Sequence, residues 1–132
     1  MAIADALGLP VAIGIASASP HEITLVEETL DNAFLADAIR RLIGDRAYDS
    51  DPLDERLRRE RDVELIAAHR SNRITPTQDG RPLRRAKRRW KVERLFAWLH
   101  NYRRLVTRWE RHAENYLGFV RLGCLCILLR RY

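Results

Sequence analysis

The sequence contains few of the residues that form covalent or metal cross-links in small proteins. Its 132 residues include only two cysteines, Cys124 and Cys126. At a spacing of i, i+2 these side chains point to different sides of a helix, so we expect no disulfide between them. Both are interpreted as small core residues in a reducing cytosol. The four histidines show no HExxH motif and no Cys/His ligand spacing, which argues against a zinc site.

Long apolar runs and targeting signals are missing as well. The most apolar stretch, residues 117–129, is interrupted by Arg121 and is shorter than the roughly 20 residues that a membrane span needs. No basic stretch precedes the first apolar residues, which argues against a secretory signal. We therefore expect a cytoplasmic protein that does not bind a membrane. The sequence also lacks a glycine-rich phosphate loop and a nucleophile elbow, so nucleotide-binding and hydrolase functions lose support.

Positive charge is concentrated in the C-terminal part of the chain. The formal net charge is +6, but residues 81–132 hold 15 Lys and Arg against 3 Asp and Glu, a net charge of +12. Residues 1–80 therefore carry a net charge of −6. A basic region of this kind is typical of a surface that binds a polyanion, and nucleic acid is the leading candidate. A solvated basic surface that serves solubility alone is the alternative.

The spacing of apolar residues predicts one compact α/β unit that ends in two long helices. The second of these helices is apolar on nearly all sides from Leu117 onward, so we expect it to be buried, within the protein or against a partner. In chain order, the predicted elements are a hairpin with strands at residues 1–4 and 11–15, a helix from residue 24 with a break near residue 32, a strand at residues 42–44, a helix at residues 51–61, a strand at residues 63–67, a loop at residues 70–82, and helices at residues 83–106 and 111–131.

Two acidic residues, Asp45 and Glu93, stand where a carboxylate is not needed for solubility. Asp45 follows an apolar strand, and the carboxyl ends of strands in α/β folds hold ligands and metals. The alternative is that Asp45 caps the bend at residues 44–46. Glu93 is a lone acid among basic neighbours on a predicted helix. Its alternative role is an ordinary i, i+4 ion pair with Arg89.

The neighbours of Glu93 suit phosphate binding. At 100° per residue, Ala86, Arg89, Glu93 and His100 fall within an arc of about 60°, so they share one face of the predicted helix. Such a face would present a metal-binding carboxylate beside phosphate-binding cations. The candidate DNA-binding residues are Arg88, Arg89, Lys91, Arg94 and His100.

Several segments in a fixed order resemble one protein family. They are GDRAYDSDPL at residues 44–53, ELIAAHRSNR at residues 64–73, RRWKVERLFAWLHNYRRL at residues 88–105 and ERHAENYLGF at residues 110–119. These segments are similar to the catalytic domain of DDE transposases of the insertion-sequence family five type. The DALGLP hairpin and the SASPHE segment extend the resemblance over essentially the whole chain. Residues 1–132 are therefore expected to form the C-terminal part of such a domain.

The resemblance implies a ribonuclease H-like fold, with a mixed sheet and flanking helices. In that family two aspartates and a glutamate meet around two divalent metals that promote cleavage and joining of DNA strands. By matching position, Asp45 corresponds to the second aspartate and Glu93 to the glutamate. The resemblance thus implies that both are catalytic metal ligands, with Mg²⁺ or Mn²⁺ as the cofactor.

The chain departs from the family pattern in two places. The glutamate helix of the family places Tyr, Arg, Glu and Lys where this chain has Ala86, Arg89, Glu93 and His100. The first aspartate of the family lies on a strand upstream of the hairpin, and the only nearby acid here, Asp5, matches a turn residue. We therefore expect a partial ribonuclease H-like fold without its first strand. The corresponding expectation for function is a truncated, catalytically incomplete transposase.

Two other functions stay open on the sequence alone. One is a non-catalytic DNA-binding derivative that occupies transposon ends or inhibits full-length transposase. The other is a basic nucleic-acid-binding helical module whose resemblance to the family is incidental. The expected partners are transposon-end DNA and, within an assembly, a second copy of the chain or a full-length or upstream transposase.

Overall fold

A computed structural model of the protein describes residues 1–34, 39–77 and 84–131, apart from the side chains of Arg85 and Ala86. Within these ranges the chain forms four strands and five α-helices, with single turns of 3₁₀ helix between some of them. The elements are β1 (Ala2–Ala4), β2 (Pro10–Ile13), α1 (Leu25–Asp31), β3 (Arg41–Gly44), α2 (Asp51–Arg61), β4 (Glu64–Ala67), α3 (Trp90–Leu99), α4 (Arg103–Val106) and α5 (Ala113–Leu129).

β1 and β2 form the predicted antiparallel hairpin. Its turn is closed by Asp5, whose Oδ1 accepts hydrogen bonds from the backbone N–H groups of Leu7 at 2.7 Å and Leu9 at 2.8 Å. Gly8 has a φ of 79°, a backbone conformation that favours glycine. The prediction that Asp5 is a turn residue is therefore confirmed.

β3, α2 and β4 form a β-α-β unit, as the sequence predicted. The two strands pair in parallel, and parallel strands need a crossover connection, which α2 supplies. Pro52 lies in the first turn of α2, and the helix ends before Asp62. Leu53 and Leu57 of α2 are fully buried in the first hydrophobic core. Burial of each leucine contributes on the order of 1.5–3 kcal/mol to stability.

The hairpin lies between two hydrophobic cores because side chains alternate between the faces of a strand. Ile3 and Ala12 belong to the first core, with α1, α2 and the β3–β4 pair. Ile13 belongs to the second core, with the C-terminal helices. The other buried members of the second core are Leu95, Leu99, Leu105, Val120, Cys124 and Ile127.

The single mixed sheet implied by the resemblance is not formed by the described residues. β1 pairs only with β2, and β3 pairs only with β4, which gives one antiparallel and one parallel sheet. A cleft separates β1 from β3, and no strand in the described ranges lies between them to join the two sheets. The structure is therefore a mixed α/β fold with two small sheets.

The first of the two predicted long helices is interrupted, so that prediction is wrong in part. Residues Arg84–Arg88 are 3₁₀ helix, and α3 ends at Leu99. Tyr102 then adopts an extended backbone conformation before α4 begins. The break turns Leu105 onto α5, where a Cβ on Gly123 would lie only 3.0 Å from Cδ1 of Leu105. Tertiary packing thus overrides the helical spacing.

α5 confirms the second predicted helix, but the chain itself buries only part of the apolar surface of that helix, so burial against a partner stays a prediction. Leu122, Leu125 and Leu129 are each half exposed or more. The reason is that β2, α3 and α4 contact α5 around its buried residues Val120, Cys124 and Ile127, and the described elements leave these three leucines at least half exposed. Cys126 is exposed too, which corrects its assignment to the core, whereas Cys124 is buried and both thiols are free as expected. In the described ranges, no helix combines the length and hydropathy of a membrane span.

Candidate functional site

A cleft of about 1720 Å³ lies between the two sheets. β1 lines one side and β3 with the start of β4 lines the other, while the beginning of α3 contributes further residues. Asp45 and Glu93 both line this cleft, although 47 residues lie between them in the sequence. The structure therefore places on one cleft the two carboxylates that the sequence singled out.

Asp45 directly follows β3 and begins the 3₁₀ turn Arg46–Tyr48. Its Oδ1 accepts a hydrogen bond from the backbone N–H of Ala47 at 2.8 Å, so the capping role considered as an alternative is present. Oδ2 has no hydrogen-bond donor among the described residues. Capping fixes the carboxylate at the strand end and leaves one oxygen for another ligand.

Tyr48 holds the backbone around Asp45 closely. A Cβ on Gly44 would lie 2.9 Å from Cδ2 of Tyr48, so only glycine fits before Asp45 without a shift. Burial, the negative charges of Glu22 and Asp45, and the hydrogen bond to Glu22 raise the pKa of Tyr48 to about 12. Tyr48 therefore stays neutral near pH 7 and joins the turn after β3 to the segment after β2.

Glu93 lies in the first turn of α3 and is exposed to solvent. The ordinary i, i+4 ion pair with Arg89 is not formed, and no other described residue forms a salt bridge with Glu93. Its carboxylate is therefore available within the described part of the cleft. A carboxylate in the first helical turn also interacts favourably with the helix dipole.

The candidate DNA-binding residues fall into two groups. Arg88 and Arg89 are exposed, line the cleft and have no salt bridge to a described residue. Lys91 and Arg94 instead donate hydrogen bonds to the backbone oxygens of the hairpin turn at residues 6 and 7. These two cations already hold α3 against the hairpin, so their DNA-binding role stays a prediction.

Arg94 is enclosed by aromatic rings. Its guanidinium carbon lies 4.9 Å from the ring centroids of both Trp90 and Trp98. A Cβ on Gly8 would lie 2.6 Å from Nη2 of Arg94, so the turn and the guanidinium are in close contact. This packing makes Arg94 a structural link between α3 and β1.

His100 lies at the C-terminal end of α3, two turns from Glu93, and is exposed. Two turns of α-helix span about 11 Å, and His100 is not among the residues that line the cleft. The structure therefore does not bring His100 to the cleft. The prediction for the side chain of Ala86, on the same face, lies outside the described residues.

A buried polar cluster that the sequence reading did not assign links the ends of β3 and β4. Asp49 accepts hydrogen bonds from Nδ1 of His69 at 3.0 Å, from the backbone N–H of Arg70 at 2.8 Å and from Nη1 of Arg73 at 2.5 Å. Arg73 also forms an ion pair with Asp51 at 2.5 Å. The signal for this cluster was present, because polar residues follow both predicted strands, and parallel strands end at one edge of a sheet.

Asp45 and Glu93 line the cleft, and neither forms a salt bridge with a described residue. Among the described residues, no group of three or more Asp, Glu, His or Cys side chains could hold a metal ion. The other acids that line the cleft are engaged elsewhere: Asp5 with turn amides, Glu22 with Tyr48, Asp62 with Arg40 and Glu64 with Arg41.

Comparison with known proteins identifies the family. A family model described as "Transposase DDE domain" matches residues 1–129. The chain belongs to the DDE transposase family. It is 35% identical over 136 residues to the "Putative transposase for insertion sequence element IS402" of Burkholderia cepacia, an alignment that covers 95% of this chain and 59% of that protein.

A second relative of this DDE transposase domain is the "Putative transposase for insertion sequence element IS6501" of Brucella ovis (strain ATCC 25840 / 63/290 / NCTC 10512). It is 30% identical over 132 residues, which cover 98% of this chain and 95% of the relative. No solved structure matches the chain. The chain thus spans 59% of the length of the first relative and nearly all of the second.

The family match covers both sheets, the cleft and α3. It therefore excludes the alternative that the resemblance to transposases is incidental. Asp45 and Glu93 both lie inside the matched range.

Proposed function

We propose that this chain is the C-terminal part of a transposase catalytic domain of the insertion-sequence family five type. It acts in the cytoplasm on transposon-end DNA by metal-dependent phosphodiester cleavage and strand transfer. The observation that carries the proposal is that Asp45 and Glu93 line one cleft inside a DDE transposase domain. The exposed Arg88 and Arg89 beside Glu93 add positive charge where a DNA phosphate would lie.

Asp45 and Glu93 are proposed to hold divalent cations, because carboxylate oxygens are the ligands that Mg²⁺ and Mn²⁺ prefer. When bound there, divalent cations would supply the charge that activates the attacking oxygen and stabilises the leaving oxygen of a phosphodiester. Oδ1 of Asp45 is used by the cap at Ala47, so Oδ2 is the oxygen available for a metal. Glu93 lies in the first turn of α3, where its side chain is exposed to solvent.

The cleft also suits an additional β-strand. Among the described residues, β1 and β3 each have a strand partner on one edge only, and both strands line the cleft along their length. Unpaired strand edges bind further strands readily. A strand between β1 and β3 would join the two sheets into one mixed sheet, as in a ribonuclease H-like fold.

The directions of β1 and β3 support this arrangement. Met1, at the start of β1, donates a hydrogen bond to the backbone oxygen of Gly14 at 2.8 Å and lies close enough to Glu22 to interact with its charge. Tyr48, four residues after the end of β3, also lies close enough to Glu22 for that charge to raise its pKa. The end of β3 therefore lies near the start of β1. A strand between them would therefore be parallel to one of these two strands and antiparallel to the other.

We infer that the added strand supplies the third metal-binding carboxylate. Asp5 is not assigned that role, because it closes the hairpin turn, where its Oδ1 accepts hydrogen bonds from two backbone amides, and it matches a turn residue of the family. The strand can come from upstream in the polypeptide or from a separate transposase chain. Without it, the chain described here is proposed to be catalytically incomplete.

The test is a cleavage assay on transposon-end DNA with Mg²⁺ and with Mn²⁺. The chain alone is compared with the same chain plus an upstream segment that carries an Asp-bearing strand. We expect cleavage only with the added segment, and its loss on Asp45→Asn and on Glu93→Gln. Glu55→Gln serves as the control, because Glu55 is an exposed acid of α2 that does not line the cleft. Equal cleavage by the chain alone would contradict the need for a further strand.

A second candidate function is non-catalytic DNA binding, in which the chain occupies transposon ends or assembles with full-length transposase as an inhibitor. The absence of a three-carboxylate group among the described residues favours it. Association with another copy is also open, through the uncovered apolar face of α5. DNA binding without cleavage in both forms of the assay would support this function over the first.

A further inference from the structure

An exposed tryptophan projects from the segment between α4 and α5. Trp109 is 77% exposed, the largest exposed fraction of any aromatic residue in the described ranges. No ring contact or hydrogen bond to a described residue involves its side chain. Because the indole ring packs on little of the protein, its role is not explained by the hydrophobic core.

The backbone on the C-terminal side of Trp109 is held in place. Glu110 forms an ion pair with Arg104, with 3.0 Å between Oε1 and Nη1, and only 7% of the Glu110 side chain is exposed. Nε of Arg108 donates a hydrogen bond to the backbone oxygen of Glu110, also at 3.0 Å. The two neighbours of Trp109 therefore fold back on the protein, while the indole points to solvent.

Aromatic contacts attach the same segment to α5. The hydroxyl of Tyr116 donates a hydrogen bond to the backbone oxygen of Leu105 at 2.9 Å. The guanidinium of Arg108 lies 5.7 Å from the ring centroid of Tyr116, and that of Arg104 lies 5.0 Å from the ring centroid of Phe119. A restrained backbone segment loses less conformational entropy on binding than a mobile one.

The surroundings of Trp109 are positively charged. The one acid between residues 103 and 112 is Glu110, and its charge is compensated by Arg104. Arg103 and Arg111 are exposed and have no salt bridge to a described residue. An exposed aromatic ring among cations is the arrangement with which proteins bind single-stranded nucleic acid, since the base stacks and the phosphates meet the cations.

We propose that Trp109 stacks on an unpaired base of single-stranded DNA, with Arg103 and Arg111 near the adjacent phosphates. The base must be unpaired because the faces of paired bases inside a duplex are covered by their neighbours, and separating them costs free energy. A protein partner is less favoured, because the exposed residues nearest in sequence are mainly cationic rather than apolar. This inference rests on the DNA binding of the proposed function but not on its metal chemistry.

The experiment measures binding of the chain to an oligothymidylate of about 15 nucleotides and to a duplex of the same length. We expect Trp109→Ala to weaken single-strand binding about tenfold and duplex binding by about twofold or less, because one stacked base is lost. Trp109→Phe, which keeps a smaller ring, should recover much of the affinity. Val106→Ala is the control, because it removes exposed apolar atoms from the same segment without removing an aromatic ring.

Each other outcome would overturn the inference. Equal losses on both DNAs, or no loss on the single strand, would show that Trp109 does not stack on an unpaired base. A change in sedimentation with unchanged single-strand affinity would assign Trp109 to a protein interface instead. If the unaltered chain binds duplex but Trp109→Ala does not change its affinity for the single strand, only this inference fails. If the unaltered chain binds neither DNA, the proposed DNA binding fails as well. Circular dichroism and Trp109→Phe separate binding losses from unfolding.

Discussion

Asp49 and Arg73, which lie 24 residues apart in the sequence, form an ion pair with 2.5 Å between Oδ1 and Nη1, and only 4% of the Asp49 side chain is exposed. The pair joins the segment after β3 to the segment after β4, at the carboxyl ends of two parallel strands. Asp45 lies four residues before Asp49. The cluster therefore restrains the backbone that positions the candidate metal ligand.

Replacing the buried carboxylate should destabilise the fold. Asp49→Asn would place an amide N–H₂ group or a neutral oxygen against Arg73, and we expect the free energy of unfolding to fall by about 2–4 kcal/mol. Urea denaturation followed by circular dichroism measures the change. Asp62→Asn is the control and should change the free energy of unfolding little. Asp62 also forms an ion pair, with Arg40, but its side chain is 81% exposed. Asparagine tolerates the left-handed backbone conformation of this residue. A similar decrease in the free energy of unfolding in both variants would contradict the conclusion that the Asp49 cluster stabilises the fold more than an exposed ion pair does.

Acid should destabilise the unaltered protein more than it destabilises Asp49→Asn. Burial opposes ionisation of Asp49, but the hydrogen bonds from Arg70 and His69 and the charge of Arg73 outweigh it and lower its pKa. The stabilisation is therefore fully present above the unfolded pKa of about 3.9 and is lost as the pH falls through the lower folded pKa. The difference between the unfolding free energies of the two proteins should therefore narrow as the pH is lowered from 7 to 3. Parallel curves would argue against this prediction.

DNA affinity should depend on salt through the exposed cations of the cleft. Each neutralised phosphate contributes about 0.9 to the slope of log K against log salt concentration. The double variant Arg88→Ala, Arg89→Ala should therefore reduce the magnitude of the slope by about 2. Filter binding over a range of salt concentrations measures it. Arg59→Ala is the control, because Arg59 is an exposed residue of α2 outside the basic region, and this variant should leave the slope unchanged. An unchanged slope in the double variant would show that Arg88 and Arg89 do not contact DNA phosphates.

The parts of the fold that local sequence determines were predictable. The hairpin follows from the alternation in β2 and from the Asp5 turn, and α2 follows from Pro52 at its start. Asp45 was found because it directly follows an apolar strand. Each of these signals lies within about ten residues of the feature it predicts, so no tertiary contact is needed to interpret it.

The parts that depend on distant contacts were not predictable. Lys91 and Arg94 look like DNA-binding cations in the sequence, yet they are hydrogen-bonded to a turn 85 or more residues away. Helical spacing identifies the apolar residues of α5 but not the number of elements that cover them. The exposure of Leu125 could therefore not be predicted from the sequence. The polar cluster around Asp49 likewise requires two segments to meet.

The close approach of Tyr48 to Gly44 leads to a prediction about the geometry at Asp45. A Cβ on Gly44 would lie 2.9 Å from Cδ2 and 3.0 Å from Cβ of Tyr48. Tyr48 is half buried and packs against the first hydrophobic core, so the 3₁₀ turn that Asp45 caps must shift to make room. We expect Gly44→Ala to lower the free energy of unfolding by about 1–3 kcal/mol.

Gly118 provides a matched control for this substitution. A Cβ on Gly118 would meet no atom within 4 Å, and the residue lies inside α5. Gly118→Ala should therefore raise the free energy of unfolding by about 0.5–1 kcal/mol, because alanine favours the helix. Urea denaturation of both variants tests the sign of each change.

Mn²⁺ binding is measured in the form of the chain that carries the added strand. It should weaken in Gly44→Ala and stay unchanged in Gly118→Ala, because only the first substitution displaces Asp45. If Gly44→Ala bound Mn²⁺ as well as the unaltered protein did, the 3₁₀ turn would not position the metal ligand.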